Sequence, residues 1–276
     1  MREKKSKKKE MAFINVVLYP TERQRSQCYI ELLASIMESR CPIKMKSSDK
    51  SIVMRTFDIC EDYYHGCFCQ ALFLTPESKT LDVTANLLEP ASVDPNKGLD
   101  AKDIEFWFFP RYHRFAVLKS EVKRIAHFLF ESFKFKLGDM DYFGVFIEKD
   151  SGTIERIINA EGVRSIRVKI RYTNNDNADE WEALDEDFRN SDTKEASLSL
   201  KAGRGMPIKA KVNRILRAFL HLSKSYGTAI AEIVEENGHT VKIDTKEHLL
   251  SRSVDMNQDV AQQLKEMVFD IANNRT

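Results

Sequence analysis

The spacing of apolar side chains along this chain switches repeatedly between the period of a strand and the period of a helix. Residues Ala12–Tyr19 form an apolar, β-branched run typical of a buried strand, whereas Tyr29–Met37 carries its apolar side chains at helical spacing. The same switch separates a predicted helix over Ser120–Lys134 from a predicted strand over Ser165–Tyr172. Asn237-Gly238 is a strong turn signal and predicts a hairpin between two late strands. The pattern therefore predicts an α+β fold, in which strands and helices alternate as ferredoxin-like split βαβ units and antiparallel hairpins.

Two modest cores suit a chain of 276 residues better than one. Leu137-Gly138-Asp139 is the best candidate boundary, because the pattern of strands and helices changes after it. We expect a disordered basic arm over residues 1–11, an N-terminal α+β domain over 12–137 and a C-terminal α+β domain over 138–276. The C-terminal domain is predicted to contain a long basic helix over 207–224, with Pro207 in its first turn.

Composition excludes several classes of protein. Apolar residues make up 42% of the chain and charged residues 31%, which excludes a disordered protein. No apolar run approaches the roughly 18–20 residues of a membrane span, so we expect no membrane insertion. The basic N-terminus lacks the apolar region of a secretory signal, and an odd count of 5 cysteines favours free thiols in a reducing compartment. We expect a cytoplasmic protein.

Acidic and basic residues are segregated, although 43 Lys and Arg nearly balance 42 Asp and Glu. Residues 201–228 contain Lys and Arg but no Asp or Glu, and residues 176–187 show the reverse. Such segregation predicts an electrostatically polarised surface.

The predicted helix 207–224 has an apolar side and a cationic side. Its apolar side is predicted to comprise Ile208, Val212, Ile215, Phe219 and Leu222. Lys209, Arg214 and Arg217 lie on the other side, and Arg204 precedes the helix in a Gly-Arg-Gly loop that a phosphate could approach closely. These four cations form the first predicted nucleic-acid-binding patch.

A second patch is predicted beside this helix on the strand Ser165–Tyr172. Arg167, Lys169 and Arg171 alternate strictly with apolar residues there, so one face of the strand would be cationic and suited to a phosphate backbone. Two other interpretations stay open. The strand charges could simply protect a sheet edge, and the basic helix could pair internally with a predicted acidic helix over Ala178–Phe188. Lys123 and Arg124, before the boundary, are expected to matter much less for binding.

Two further groups have structural alternatives. Aromatic and basic residues interleave over Phe106–Phe115, as in sites that stack single-stranded nucleic acid, but such a run more often forms a core hairpin. His65, Cys67 and Cys69 share one face of a predicted strand, but their spacing is poor for zinc. We expect buried free thiols there.

One arrangement is similar to a nuclease motif. Asp103, Glu121 and Lys123 follow the Asp…Glu-x-Lys order in which carboxylates hold a divalent cation and Lys steadies the attacking water. Glu121 is equally expected in the first turn of a helix, where an acidic side chain is favourable. We therefore assign no catalytic residue, no metal ligand and no cofactor.

Three segments carry a resemblance to a known family: the hairpin Phe106–Phe115, the block Ile154–Tyr172 (IERIINAEGVRSIRVKIRY) and the stretch Glu235–Ser251 (EENGHTVKIDTKEHLLS). Their order resembles a bacterial family found in prophages and defence islands, and the chain is similar over residues 12–256 to the Rex exclusion A family of lambdoid phages. The resemblance implies a cytoplasmic phage-exclusion or anti-phage factor that binds DNA with little sequence preference and self-associates. It implies no catalytic residue.

The leading hypothesis is a non-enzymatic, cytoplasmic nucleic-acid-binding protein of an anti-phage defence or prophage exclusion system. It would contact the phosphate backbone of DNA or RNA and form a homodimer or a higher oligomer. The alternative is a protein-interaction or sensor subunit that controls a partner effector of the same system. A second alternative is a metal-dependent nuclease.

Overall fold

The computed structural model describes residues 7–46, 48–74, 78–82, 87–91, 94, 97–138, 142–171, 191, 193, 195–203 and 206–273. Within them the chain forms a large sheet, a small sheet and a ribbon of β5 (Lys79–Asp82) with β6 (Leu87–Pro90). The helices are α1 (Ser26–Ser39), α2 (Val122–Leu137), α3 (Ser151–Ile158), α4 (Arg214–Tyr226) and α5 (Val260–Ala272). The predicted α+β class is confirmed, and every strand pair in the described residues is antiparallel.

The large sheet has eight strands in the order β14-β1-β8-β7-β4-β3-β2, with β9 also paired to β1. They are β1 (Lys8–Leu18), β2 (Ile43–Lys44), β3 (Lys50–Cys60), β4 (Tyr63–Phe73), β7 (Gly98–Phe109), β8 (Arg114–Leu118), β9 (Phe143–Ile147) and β14 (Ser251–Asp255). Strand β1 pairs along one edge with β8, and on its other edge first with β14 and then with β9. Strands from both sides of residue 137 thus share this sheet, and a domain boundary there stays a prediction.

Strand alternation gives the large sheet two apolar faces, each covered by helices. Ile14 and Phe106 point to the face covered by α1 and α2, whereas Phe13 and Trp107 point to the face covered by α5. From Met11 to Leu18 each successive residue of β1 is therefore buried on one side or the other, which explains why this part of the strand is apolar except at Asn15.

The small sheet has four strands in the order β11-β10-β12-β13. They are β10 (Gly162–Arg171), β11 (Glu195–Lys201), β12 (Gly227–Val234) and β13 (Thr240–Asp244). Helices α3 and α4 cover its inner face, where Ile166, Val168 and Ile170 are buried. The predicted hairpin around Asn237-Gly238 is confirmed, with Gly238 at a φ of 78°. None of the described helices covers the other face of this sheet, which we call its open face.

Two predicted segments are corrected by long-range pairing. Strand β1 begins at Lys8, so residues 8–11 of the expected disordered arm are strand, because their backbone pairs with β14. The long helix expected over 207–224 begins only at Arg214, because Ile208 exchanges two hydrogen bonds of 2.8 Å with Val163 and so keeps this segment extended. A 3₁₀ turn at Ala210–Val212 follows, and the Asn213 side chain caps α4 by accepting from the Leu216 amide at 3.0 Å.

In the parts of the chain that the structure describes, no helix is both long and apolar enough to cross a membrane.

Candidate nucleic-acid interface

A buried network of Arg114, Glu148 and Ser225 connects the large sheet to helix α4, which packs on the small sheet. We call this network the joint. Arg114 in β8 donates from Nε to Glu148 Oε1 at 2.9 Å, and Ser225 near the end of α4 donates from Oγ to Glu148 Oε2 at 2.7 Å. Arg114 also donates from Nη1 to the Tyr112 carbonyl at 2.7 Å. Both charged side chains are only 2% exposed. Because Glu148 directly follows β9, this joint holds β9 against α4.

Beside the joint, the two layers leave a cleft of about 730 Å³. One wall is formed by α2 and β9, and the opposite wall by the adjoining ends of β10 and β12. Its apolar lining residues include Ala126, Phe130, Val145, Phe146, Ile147 and Leu249. Its basic lining residues are Lys46, Lys123, His127, Lys149, Lys169, Arg171 and Lys246. Among the described residues of this lining none is acidic. We call this site the cationic cleft.

Lys149 is the buried cation of the cleft, at 6% exposure. Its ammonium donates to the Ile147 carbonyl. Burial lowers the pKa of Lys149 to about 8, with Glu148 opposing this shift and Lys246 adding to it. The side chain is thus still mostly protonated at neutral pH, although it has lost most of its hydration. A bound anion would restore the stabilisation that burial removes.

The other cations stand at the rim and differ in their partners. Lys46, Lys123 and Lys246 are exposed, and the described residues offer them no ion pair. Lys169 and Arg171 both pair with Glu195, at 2.8 Å from Nζ and 3.0 Å from Nε. The hydrogen bond from Lys169, followed by that from Arg171, holds the pKa of Glu195 below its usual range. Two cations share one carboxylate, so this group keeps a net positive charge.

The first predicted patch lies away from the cleft. Arg204 falls outside the described residues. Arg214 begins α4, about 18 Å along the helix axis from Tyr226, whose side chain lines the cleft. Helix α4 covers the inner face of the small sheet, whereas Arg167, Lys169 and Arg171 point from its open face. The basic helix and the basic strand therefore do not present their cations side by side, as the prediction of two adjacent patches required.

The predicted apolar side of the basic helix is wrong at two positions. Val212 is 78% exposed and Ile215 is 62% exposed, with Lys209 exposed nearby. Because residues 207–213 are not part of the α-helix, the buried side of α4 begins at Leu216 instead and continues through Leu220. A helix phase extrapolated from Pro207 could not give this result.

A second cavity of about 870 Å³ lies on the open face of the small sheet, and we call it the groove. Arg164, Arg167 and Lys201 supply its positive charge. Its carboxylate is Glu232, which accepts a hydrogen bond of 3.3 Å from Ser165. The second predicted patch is thus divided: Arg167 lines the groove, while Lys169 and Arg171 line the cleft. All three stay on one face of β10, as the strict alternation predicted.

The aromatic-basic run forms core. Phe106, Phe108 and Phe115 are 0% exposed, and Trp107 is 8% exposed. The Phe115 ring stacks on Phe108 and packs at a tilted angle against Phe106. Even Arg114 is buried, in the joint with Glu148. The core interpretation of this run is confirmed, and its buried Phe and Trp rings are not accessible for stacking bases.

The three residues of the nuclease-like arrangement do not come together in the structure. Asp103 and Lys102 are consecutive in β7 and so point to opposite faces. Lys102 reaches Glu121 at 3.0 Å, whereas Asp103 pairs with Arg55 at 2.6 Å. Asp103 and Glu121 are therefore separated by the sheet, and Lys123 belongs to the cleft.

The cysteines are free thiols, but of Cys67 and Cys69, which were both predicted to be buried, only Cys67 is buried and Cys69 is half-buried. Burial is the main cause that raises the pKa of both Cys67 and Cys69, so these thiols stay protonated at neutral pH. Within the described ranges, no group of three or more His, Cys, Asp or Glu side chains is arranged to hold a metal ion.

Sequence reasoning missed most of the cationic cleft. Lys46, Lys149 and Lys246 are about 100 residues apart along the chain, and Lys123 was expected to be peripheral. Each stands among residues of ordinary surface composition, so no local signal marks it. Only the alternation of β10 indicated Lys169 and Arg171, the two cleft residues that this strand contributes.

A family model described as "Domain of unknown function (DUF4747)" matches residues 7–272, which include both sheets, the cleft and the groove. None of the curated proteins matches the sequence.

Proposed function

The chain belongs to the DUF4747 family, a domain of unknown function, and from its geometry we propose that it binds nucleic acid by the phosphate backbone in the cationic cleft. The observation that carries this proposal is the convergence of six Lys and Arg side chains on one cleft whose described lining has no carboxylate. Cations gathered between low-dielectric walls focus a positive potential on the space between them. A polyanion is the ligand that such a field selects.

The cleft is suited to binding phosphate groups and not to distinguishing one base from another. Its polar groups are mainly ammonium and guanidinium donors, which bind phosphate oxygens, and phosphates carry no direct information about the base. Lys149 adds a buried cation that a phosphate can neutralise. We therefore propose binding with little sequence preference.

Charge reversal at the rim tests the site. The double variant Lys123→Glu with Lys246→Glu should lower affinity for a labelled oligonucleotide by at least about tenfold, as measured by fluorescence anisotropy. The matched control is Lys209→Glu with Arg214→Glu, which makes the same change in charge at exposed positions of the first predicted patch. Its affinity should stay within about twofold of the wild type. Circular dichroism melting of both variants checks that the fold is intact.

The salt dependence should follow from the number of phosphates contacted. About four contacts predict a log–log slope of roughly −3 to −4 for duplex DNA and roughly −3 for a single strand, and the rim variant should flatten it by about 1 to 2. A slope near zero would refute phosphate binding. Loss of binding in the Lys209 and Arg214 control alone would instead move the site to helix α4.

The biological setting is a separate proposal. A role in anti-phage defence or prophage exclusion, self-association and control of a partner effector all stay predictions from the sequence. They would give a nucleic-acid-binding cleft a context but do not affect its chemistry.

A further inference from the structure

The cationic cleft and the groove meet on one strand. Arg171 and Lys169 line the cleft, and the next residue on the same face of β10, Arg167, lines the groove. Residues two apart in a strand lie about 7 Å apart. This is close to the distance between successive phosphates of an extended single strand. The open face of β10 therefore carries a row of cations at the repeat of a nucleic-acid backbone.

Side chains that are shorter than Lys and Arg flank this row and leave a trough. On β11, Ser197 and Ser199 lie directly opposite Lys169 and Arg167. On β12, Thr228 and Ile230 occupy the corresponding positions. A backbone could thus approach the cations closely, and Ile230, at 38% exposure, offers apolar surface to a base.

The cleft is too small for a duplex. Its volume of about 730 Å³ lies in the range of pockets that hold one small organic ligand, which corresponds to one or two nucleotides. Part of its lining is apolar, from Phe130, Phe146 and Leu249. Only an unpaired base can lay a face on such a surface, because a duplex keeps its base faces stacked inside.

We propose that the ligand is a single-stranded nucleic acid, which enters the cationic cleft and leaves it along the open face of β10 through the groove. This inference rests on the proposed function and narrows it to one substrate class. Glu195 occupies the path, since it holds both Lys169 and Arg171. The phosphates of the bound nucleic acid would replace this carboxylate as the partner of the two cations.

Anisotropy titrations with three probes test the proposal: a labelled single strand of about 16 nucleotides, the duplex of the same sequence, and the RNA single strand. At moderate salt the tighter single strand, DNA or RNA, should bind at least about tenfold more tightly than the duplex. Arg167→Glu should weaken single-strand binding about five- to tenfold. The matched control is Arg214→Glu, which changes the same charge on α4 and should have no effect on affinity.

A second variant acts in the opposite direction. Glu195→Gln removes the competing carboxylate at an exposed edge of the sheet, so single-strand affinity should rise several-fold. A duplex that binds as tightly as both single strands would overturn the inference, as would an Arg167→Glu variant with unchanged single-strand affinity or a Glu195→Gln variant that binds more weakly. Absence of binding to all three probes would instead refute the proposed function itself.

Discussion

The joint between Arg114, Glu148 and Ser225 makes a sharp prediction about stability. Glu148→Gln keeps the shape of the side chain but removes the charge that Arg114 faces at 2.9 Å. Arg114 is buried and also donates to the Tyr112 carbonyl, so in the variant its charge would stay in the core without this carboxylate. Removing one member of a fully buried ion pair typically costs about 3–5 kcal/mol.

The corresponding change in melting temperature follows from the size of the chain. An unfolding entropy of about 2.1 cal/mol/K per residue over 276 residues gives about 0.6 kcal/mol/K. The variant should therefore melt about 5–9 °C below the wild type. Circular dichroism melting, with urea titration as a second measure of the free energy of unfolding, gives the value.

Two control variants separate the buried charge from other effects. Asp103→Asn breaks the exposed pair between Arg55 and Asp103 and should cost less than about 1 kcal/mol. The double variant Arg114→Met with Glu148→Leu removes both charges and should be much closer to wild type than Glu148→Gln alone. A loss below about 1 kcal/mol for Glu148→Gln would refute our account of the joint.

Two further outcomes are expected at the cleft. Because burial lowers the pKa of Lys149 to about 8, oligonucleotide affinity should fall as pH rises through that value. Lys149→Met should bind more weakly, and its affinity should not show this fall between about pH 7.5 and 9. Between about pH 8 and 10.5 the unfolded chain holds a proton on Lys149 that the folded chain has lost, so the free energy of unfolding of the wild type should rise with pH over this window relative to that of Lys149→Met. No such rise would contradict the burial of Lys149. Gly227→Ala should cost about 1–3 kcal/mol in urea titration, because the added Cβ would lie 2.0 Å from the Lys169 carbonyl oxygen, and an unchanged midpoint would show that β10 and β12 can separate there freely.

Local patterns predicted much of the secondary structure. The alternation of β10, the Asn237-Gly238 hairpin and helix α2 all lie close to where periodicity and turn chemistry placed them. These features depend on residues only a few positions apart, so the relevant physical terms are contained in a short window of sequence. The burial of the aromatic run at Phe106–Phe115 followed for the same reason.

Errors occurred where a distant partner determined the backbone. Residues 207–213 have a helical pattern, but the pairing of Ile208 with Val163 keeps them from joining α4. The sequence predicts that residues 8–11 belong to a disordered basic arm, but they pair with β14, which lies some 240 residues away. In both places a strand partner remote in sequence satisfies the backbone groups, and no local propensity reports such a partner.

The sequence by itself determined the α+β class, the two faces of β10 and the segregation of charge along the chain. Only the tertiary structure decided which cations act together. Lys46, Lys123, Lys149 and Lys246 come from four separate segments, and they meet because β9 and α2 of one layer stand against the ends of β10 and β12 of the other. Electrostatic potential depends on distances in space, and the buried joint at Glu148, which no spacing rule reveals, helps to set those distances.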